Sequence, residues 1–185
     1  MNTKYDVIVV GGGFTGVAAA IAAAREGCSV LLIEQSGFLG GAATNCLVNP
    51  FMKYYTTKTN EEGKDEKYFI NKGLFDTILT RLREMDGMSK NNRTFNEEYI
   101  KLIFDRLCKE NNVKVLLHTT LINAVVEGTI VKEVVVANKS GVYNISSSYF
   151  IDCTGDGDLA AMSGCEFQLG RSEERRVGKE CMPVC

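Results

Sequence analysis

Apolar residues run without a break from Val7 to Val10 and stop at Gly11. A short β-branched run ended by glycine predicts a strand buried on both faces, as in a parallel sheet. Residues 14–26 are rich in alanine and predict a helix, with Gly27 as its stop. Residues 29–33, Ser29 followed by Val30, Leu31, Leu32 and Ile33, predict a second buried strand. Strand, helix and strand make one β-α-β unit, whose right-handed crossover sets the two strands parallel and adjacent.

Residues 35–73 are polar and dotted with glycine, and they hold no sustained period. A connection of that length points to function or to an insertion. Leu74, Phe75, Ile78, Leu79 and Leu82 then recur at helical spacing, as do Phe95, Tyr99, Leu102, Ile103 and Leu107. Residues 114–117 return to strand. Residues 121–126, 131–137 and 142–145 are β-rich, with turn signals at Glu127-Gly128 and at Lys139, Ser140 and Gly141. Three strands without intervening helices predict an antiparallel meander. Residues 150–152 predict a further buried strand and residues 158–162 a short helix. The predicted class is α/β: a Rossmann-like parallel sheet carrying a three-stranded antiparallel meander, in one domain. Residues 1–170 form that domain, with about 47–112 as a partly helical insertion.

Composition narrows the class without naming a partner. The chain has 185 residues, 45% hydrophobic and 24% charged, with 21 Lys+Arg against 23 Asp+Glu. Such values suit a folded globular domain. A net charge of −2 gives no electrostatic reason to expect nucleic acid or an acidic membrane. The longest apolar stretch, residues 17–24, falls far short of a membrane span, and the first residues do not read as a signal peptide. The 7 cysteines lack zinc spacing and read as mostly buried thiols of a reducing compartment, so the expected location is cytoplasmic.

The chemistry lies at the first turn. Gly11, Gly13 and Gly16 form G-x-G-x-x-G between a predicted strand and helix. Gly11 permits the turn, Gly13 lets backbone approach a pyrophosphate, and Gly16 lets helix and strand pack closely. The helix N-terminus offers N–H groups to phosphate. Glu34 closes the second strand, where a carboxylate can accept both hydroxyls of an adenosine ribose and would repel a 2′-phosphate. The parts in register predict an adenine dinucleotide. An NAD-binding dehydrogenase or a non-redox dinucleotide module remains the alternative to a flavoprotein.

Three features favour FAD. The unit is N-terminal and is followed by the glycine pair Gly40-Gly41, which would let the chain pass close to a long cofactor. A meander replaces further β-α repeats. Residues 150–158 end a strand on Thr154, Gly155 and Asp156, at the sheet edge where such folds bind ligands. Asp156 or Asp158 is alternatively a simple helix cap.

Residues 7–13, 32–34, 39–41, 116–119 and 151–160 together resemble the N-terminal part of FAD-dependent oxidoreductases with a glutathione-reductase-type FAD domain. The resemblance implies that Gly11, Gly13 and Gly16 hold the pyrophosphate and Glu34 the ribose. It implies that Leu121 meets the adenine through its backbone and that Thr154-Gly155 line the cofactor. The full candidate cofactor set is Gly11, Gly12, Gly13, Phe14, Thr15, Gly16, Glu34, Gln35, Gly40, Gly41, Thr44, Leu121, Thr154, Gly155 and Asp156. The implied cofactor is FAD, and the implied partner is a small-molecule substrate that exchanges hydride or electrons with it. Family members run longer, so the resemblance implies an incomplete FAD/NAD(P)-binding domain, and the chain is expected to be an N-terminal fragment whose own activity is open. Residues 171–185 form an aperiodic charged run, expected to be a non-native or disordered tail.

No catalytic residue and no metal set emerges. His118, the single histidine, falls at a strand end near the adenine side and reads as structural. Cys46 and Cys153 read as packing, and Tyr54-Tyr55 as either pocket lining or loop aromatics. In this class the flavin carries the chemistry while the protein supplies position and electrostatics. The sequence assigns no substrate, electron acceptor or oligomeric state.

Overall fold

The computed structural model describes residues 4–60 and 62–168, so the charged run at 171–185 lies outside the described residues. Strand β1 (Lys4–Val10), helix α1 (Phe14–Arg25) and strand β2 (Val30–Ile33) form the predicted β-α-β unit. β1 and β2 are parallel, with Val7 opposite Val30 and Val10 opposite Ile33. Helix α1 ends as expected, with Gly27 at φ 88° just past its last turn.

A continuous apolar run serves both faces of a pleated strand. Val7 and Val9 turn to one side and pack with Leu32 under α1, where Val17, Ala20 and Ile21 are buried. Ile8 and Val10 turn to the other and pack with Leu31, Ile33, Val134, Val136 and Ile145. Each fully buried Val, Leu or Ile contributes about 1.5–3 kcal/mol.

The chain between β2 and its other neighbour is long. It contains the short helix α2 (Ala42–Asn45), strands β3 (Tyr55–Thr59) and β4 (Asp65–Phe69), helices α3 (Leu74–Glu84) and α4 (Glu97–Glu110), and then strand β5 (Lys114–Leu116), which pairs parallel to β2. Helix α3 buries the predicted Ile78, Leu79 and Leu82, whereas α4 buries Ile103 and Leu107 as predicted but also Ile100 and Phe104, and exposes the predicted Leu102, so its core face is turned from the expected stripe. Phe95 lies before α4, whose N-cap is Asn96; its side chain accepts the Glu98 N–H at 2.9 Å. Arg81 of α3 grips Glu110 of α4 through two hydrogen bonds of 3.0 and 2.6 Å.

Two elements differ from the sequence expectation. The antiparallel hairpin β3–β4 occupies part of the span read as featureless. It has no buried face for a hydrophobic alternation to mark, because β4 is exposed throughout. The runs at 142–145 and 150–152 are one strand, β8 (Gly141–Asp152), disguised by Ser146, Ser147 and Ser148. Strands β6 (Thr120–Glu127) and β7 (Ile130–Asn138) complete the meander. β8 pairs antiparallel to β7 up to Ser146 and parallel to β1 from Ser146 onward. The six-stranded sheet therefore runs β5-β2-β1-β8-β7-β6. Helix α5 (Asp158–Met162) follows, burying Leu159.

Candidate functional site

The turn from β1 to α1 is shaped by how little room it has. Gly11 adopts φ 100°, and a Cβ there would lie 2.3 Å from the carbonyl oxygen of Cys153. A Cβ on Gly16 would fall 1.7 Å from the Gly11 carbonyl oxygen, so helix and turn touch backbone to backbone. A Cβ on Gly13 would meet only the Gly41 Cα, at 3.8 Å. Gly11 and Gly16 are thus glycines of packing, and Gly13 is the glycine that leaves space open. Gly13 is also the N-cap of α1, with no capping side chain and no acid in the first turn. The helix end keeps its N–H groups and positive dipole for a ligand.

Glu34 is 6% exposed and bends back over this turn. The Gly12 N–H donates to its Oε2 at 2.6 Å, and the Ser36 N–H donates to its Oε1 at 2.7 Å. A carboxylate has about four lone-pair positions, so two hydroxyl donors can still be accepted.

The glycine pair after β2 packs on the turn itself. Gly40 donates its N–H to the Gly12 carbonyl at 2.8 Å and forms an isolated parallel bridge with Gly13. At Gly41 φ is 55°, and a Cβ would lie 2.9 Å from the Gly13 Cα.

A third segment closes the site. The Asp152 carboxylate accepts the Thr154 N–H at 2.9 Å, the Thr154 hydroxyl at 2.7 Å and the Ala160 N–H at 2.8 Å. The Thr154 hydroxyl in turn accepts the Asp158 N–H at 2.8 Å. Burial pushes the Asp152 carboxyl up, but the hydrogen bonds from Thr154 and Ala160 outweigh it and hold it below the usual range. Neither Asp156 nor Asp158 is the cap of α5; Gly157 takes that position without a side-chain bond.

These segments enclose a cavity of about 470 Å³. Ten of the predicted residues line it: Gly11, Gly12, Gly13, Glu34, Gln35, Gly41, Leu121, Thr154, Gly155 and Asp156. The others stand behind it. Phe14 packs edge-on against Phe51 and Phe104, and Thr15 is exposed. Gly16 and Gly40 are held by backbone contacts, and the Thr44 hydroxyl donates to the Leu39 carbonyl at 2.9 Å. The sequence reading missed Asn45, Thr119 and Thr120 in the lining. Among these, Thr119 is 1% exposed, an unusual place for a polar side chain unless it is fixed by hydrogen bonds. Asp152 was equally undervalued, although a carboxylate at a strand end beside Thr-Gly was a readable signal.

The remaining candidates sort cleanly. Cys46 is exposed and Cys153 half-buried, and both reach the cavity wall. Burial, with the nearby Asp152 charge, pushes the Cys153 thiol up. His118 has φ 51° and sets its ring against Gly37 instead of the cavity. Tyr54 is buried, donates its hydroxyl to the Asn92 carbonyl at 2.6 Å and lines no part of the cavity. A separate depression of about 270 Å³ on the β3–β4 hairpin is lined by residues such as Lys58, Asn60 and Tyr68, and holds no glycine loop and no buried acid. Among the described residues no acidic, cysteine and histidine side chains gather in a metal-binding group, and no helix is long and apolar enough to cross a membrane.

Comparison with known proteins agrees with this architecture. Dihydrolipoyl dehydrogenase of Trypanosoma brucei brucei is 32% identical over 100 residues, which is 52% of this chain and 21% of that enzyme. Glutathione reductase of Schizosaccharomyces pombe is 51% identical over 45 residues, or 24% of this chain and 10% of that one. The solved structure of L-proline dehydrogenase from P. horikoshii superimposes with a TM-score of 0.62 at 15% identity, over 92% of this chain and 58% of its own, a likeness of fold. The chain thus spans about a fifth of the trypanosomal enzyme and little more than half of the proline dehydrogenase. The profile of the family described as FAD dependent oxidoreductase matches residues 6–185. The chain belongs to the FAD dependent oxidoreductase family, and its cofactor is FAD.

Proposed function

We propose that this chain is the nucleotide-holding portion of an oxidoreductase that moves hydride or electrons between FAD and a small organic substrate. The observation that carries the reading is the meeting of Gly13 and Glu34 in one cavity. Open backbone at the helix end lies beside a buried carboxylate already anchored to the same turn. In this reading the α1 N-terminus and the Gly11–Gly13 backbone take the pyrophosphate. Glu34 accepts the adenosine ribose hydroxyls with its remaining lone pairs, and the Leu121 backbone borders the adenine.

The flavin, when bound, supplies the redox chemistry. The protein's part is to hold and orient it. Glu34 enters the complex already aimed, so little ordering is needed on binding. Thr154, Gly155 and Asp156 form the opposite wall, and Asp152 fixes their course by gathering N–H and hydroxyl donors from both sides of the turn.

Purification of the 185-residue chain tests the reading directly. A yellow protein that releases FAD on denaturation, or a chain that binds added FAD and ADP, supports it. A colourless chain that binds NAD and not FAD overturns it in favour of a nicotinamide-dependent dehydrogenase.

A further inference from the structure

One polar network, built on the buried Thr119, remains outside the roles described so far. Thr119 occupies the turn from β5 to β6 and lines the cavity beside Glu34 and Gln35. Its N–H donates to the Glu34 carbonyl at 3.0 Å, and its hydroxyl donates to the Leu117 carbonyl at 2.9 Å. That hydroxyl also accepts the side-chain amide of Asn138 at 3.2 Å. Asn138 closes β7, and the same amide nitrogen donates to the Tyr143 hydroxyl of β8. Its Oδ1 accepts the Ser140 N–H at 2.8 Å. Both polar atoms of the Asn138 side chain are engaged, and its bonds join the β7–β8 hairpin to the turn before β6.

The segment so held is the one that faces the nucleotide. Thr119, Thr120 and Leu121 line the cavity in succession. Among the described residues β6 is the last strand of the sheet, and no described strand neighbours one row of its N–H and C=O groups. Its register with β7 also shifts between Leu121 and Asn123, and such a bulge re-aims backbone groups near binding sites. An edge of unpaired donors and acceptors reads a base only if its position is fixed to a few tenths of an ångström.

We infer that Asn138, braced by Tyr143, is a positioning residue that fixes the Thr119–Leu121 backbone as a base-reading edge for the adenine end of the cavity. The inference rests on the nucleotide reading above. Asn138 touches no ligand itself; it acts through Thr119.

The test is equilibrium binding of ADP and GDP to the 185-residue chain and to Asn138→Ala and Tyr143→Phe. The two nucleotides share ribose and diphosphate and differ in the base edge. Asn138→Ala is expected to weaken ADP about fivefold while leaving GDP unchanged, so that the preference for adenine collapses. Tyr143→Phe, which removes one hydroxyl and keeps the ring, is expected to do the same to a smaller degree and carries the test should Asn138→Ala not fold. Equal weakening of both nucleotides, or an unchanged ADP preference in a folded variant, overturns the positioning role. Absence of ADP binding to the wild-type chain overturns the nucleotide reading, and this one with it.

Discussion

The Gly12 N–H and the Glu34 carboxylate meet at 2.6 Å across the end of two neighbouring strands. This contact ties the glycine turn to the buried acid beside it, so neither can shift without the other; in the proposed function these are the groups for the phosphates and the sugar. It predicts a double effect for Glu34→Gln. The glutamine has one acceptor oxygen for two N–H donors, Gly12 and Ser36, and turns an amide donor toward one of them. A buried donor left unpaired costs about 1–3 kcal/mol, to be read as a lower urea midpoint. Nucleotide affinity is expected to fall about tenfold or more in the same variant, by titration with ADP.

The glycines of the loop should separate by experiment. Gly13→Ala adds a methyl in ordinary contact with Gly41 and at an unstrained φ of −70°. Stability is expected to stay within about 1 kcal/mol of wild type while ADP and FAD binding are lost, because the methyl occupies the open space. Gly16→Ala drives a methyl to 1.7 Å from the Gly11 carbonyl and is expected to unfold the chain or lower its melting temperature sharply. Thermal melts with and without ADP distinguish the two. Equal loss of stability in both would remove the distinction between the packing glycine and the ligand glycine.

Asp152→Asn replaces an oxygen that accepts N–H groups by an amide that donates. One of its bonds, to Thr154 or to Ala160, becomes a donor facing a donor, and about 1–3 kcal/mol of stability is expected to go with it. The pH dependence has a definite sign. The folded carboxyl titrates below its unfolded value, so its contribution is complete above about pH 4 and is lost as pH falls through the folded value. The wild-type chain is expected to lose stability more steeply than Asp152→Asn below about pH 4, by urea melts at stepped pH.

The thiols should react in a fixed order. Cys108 is buried in α4, and desolvation, with the Asp105 charge adding to it, pushes its thiol up to about 12. Cys46 is exposed at the cavity mouth. Iodoacetamide at pH 8 is expected to label Cys46 quickly and Cys108 only on unfolding, with peptide mass spectrometry as the readout. Saturating FAD or ADP should slow labelling of Cys46.

What could be read from the chain alone follows from where its signals originate. The β1-α1-β2 unit was legible because an uninterrupted apolar run, an alanine-rich helix and a glycine turn each have a local physical cause. Glu34 was legible because its position depends only on the length of β2. The β3–β4 hairpin was hidden because exposure on both faces erases the alternation that marks a strand. The unity of β8 was hidden for another reason: three serines lie where the strand passes from one partner to another, with Ser146 paired to both β7 and β1 and Ser147 to β1, so the strand continues through ladder pairing without an apolar signal. Gly40 and Gly41 were singled out, but their immediate cause is contact with Gly12 and Gly13, which only the folded chain displays. Asn138 and Thr119 belong to the same kind, since their meaning lies in a hydrogen bond between segments that the sequence sets apart.

The contact of Gly11 with Cys153 carries a consequence for synthesis. The glycine turn is completed by a segment far along the chain, through the Cys153 N–H bonded to the Val10 carbonyl at 2.8 Å. Until β8 emerges, one edge of β1 has no partner and the floor beneath the glycine loop is missing. An apolar strand must therefore wait for a partner that lies far along the sequence, a non-local pairing that slows folding and makes the unpaired strand a natural client for a chaperone.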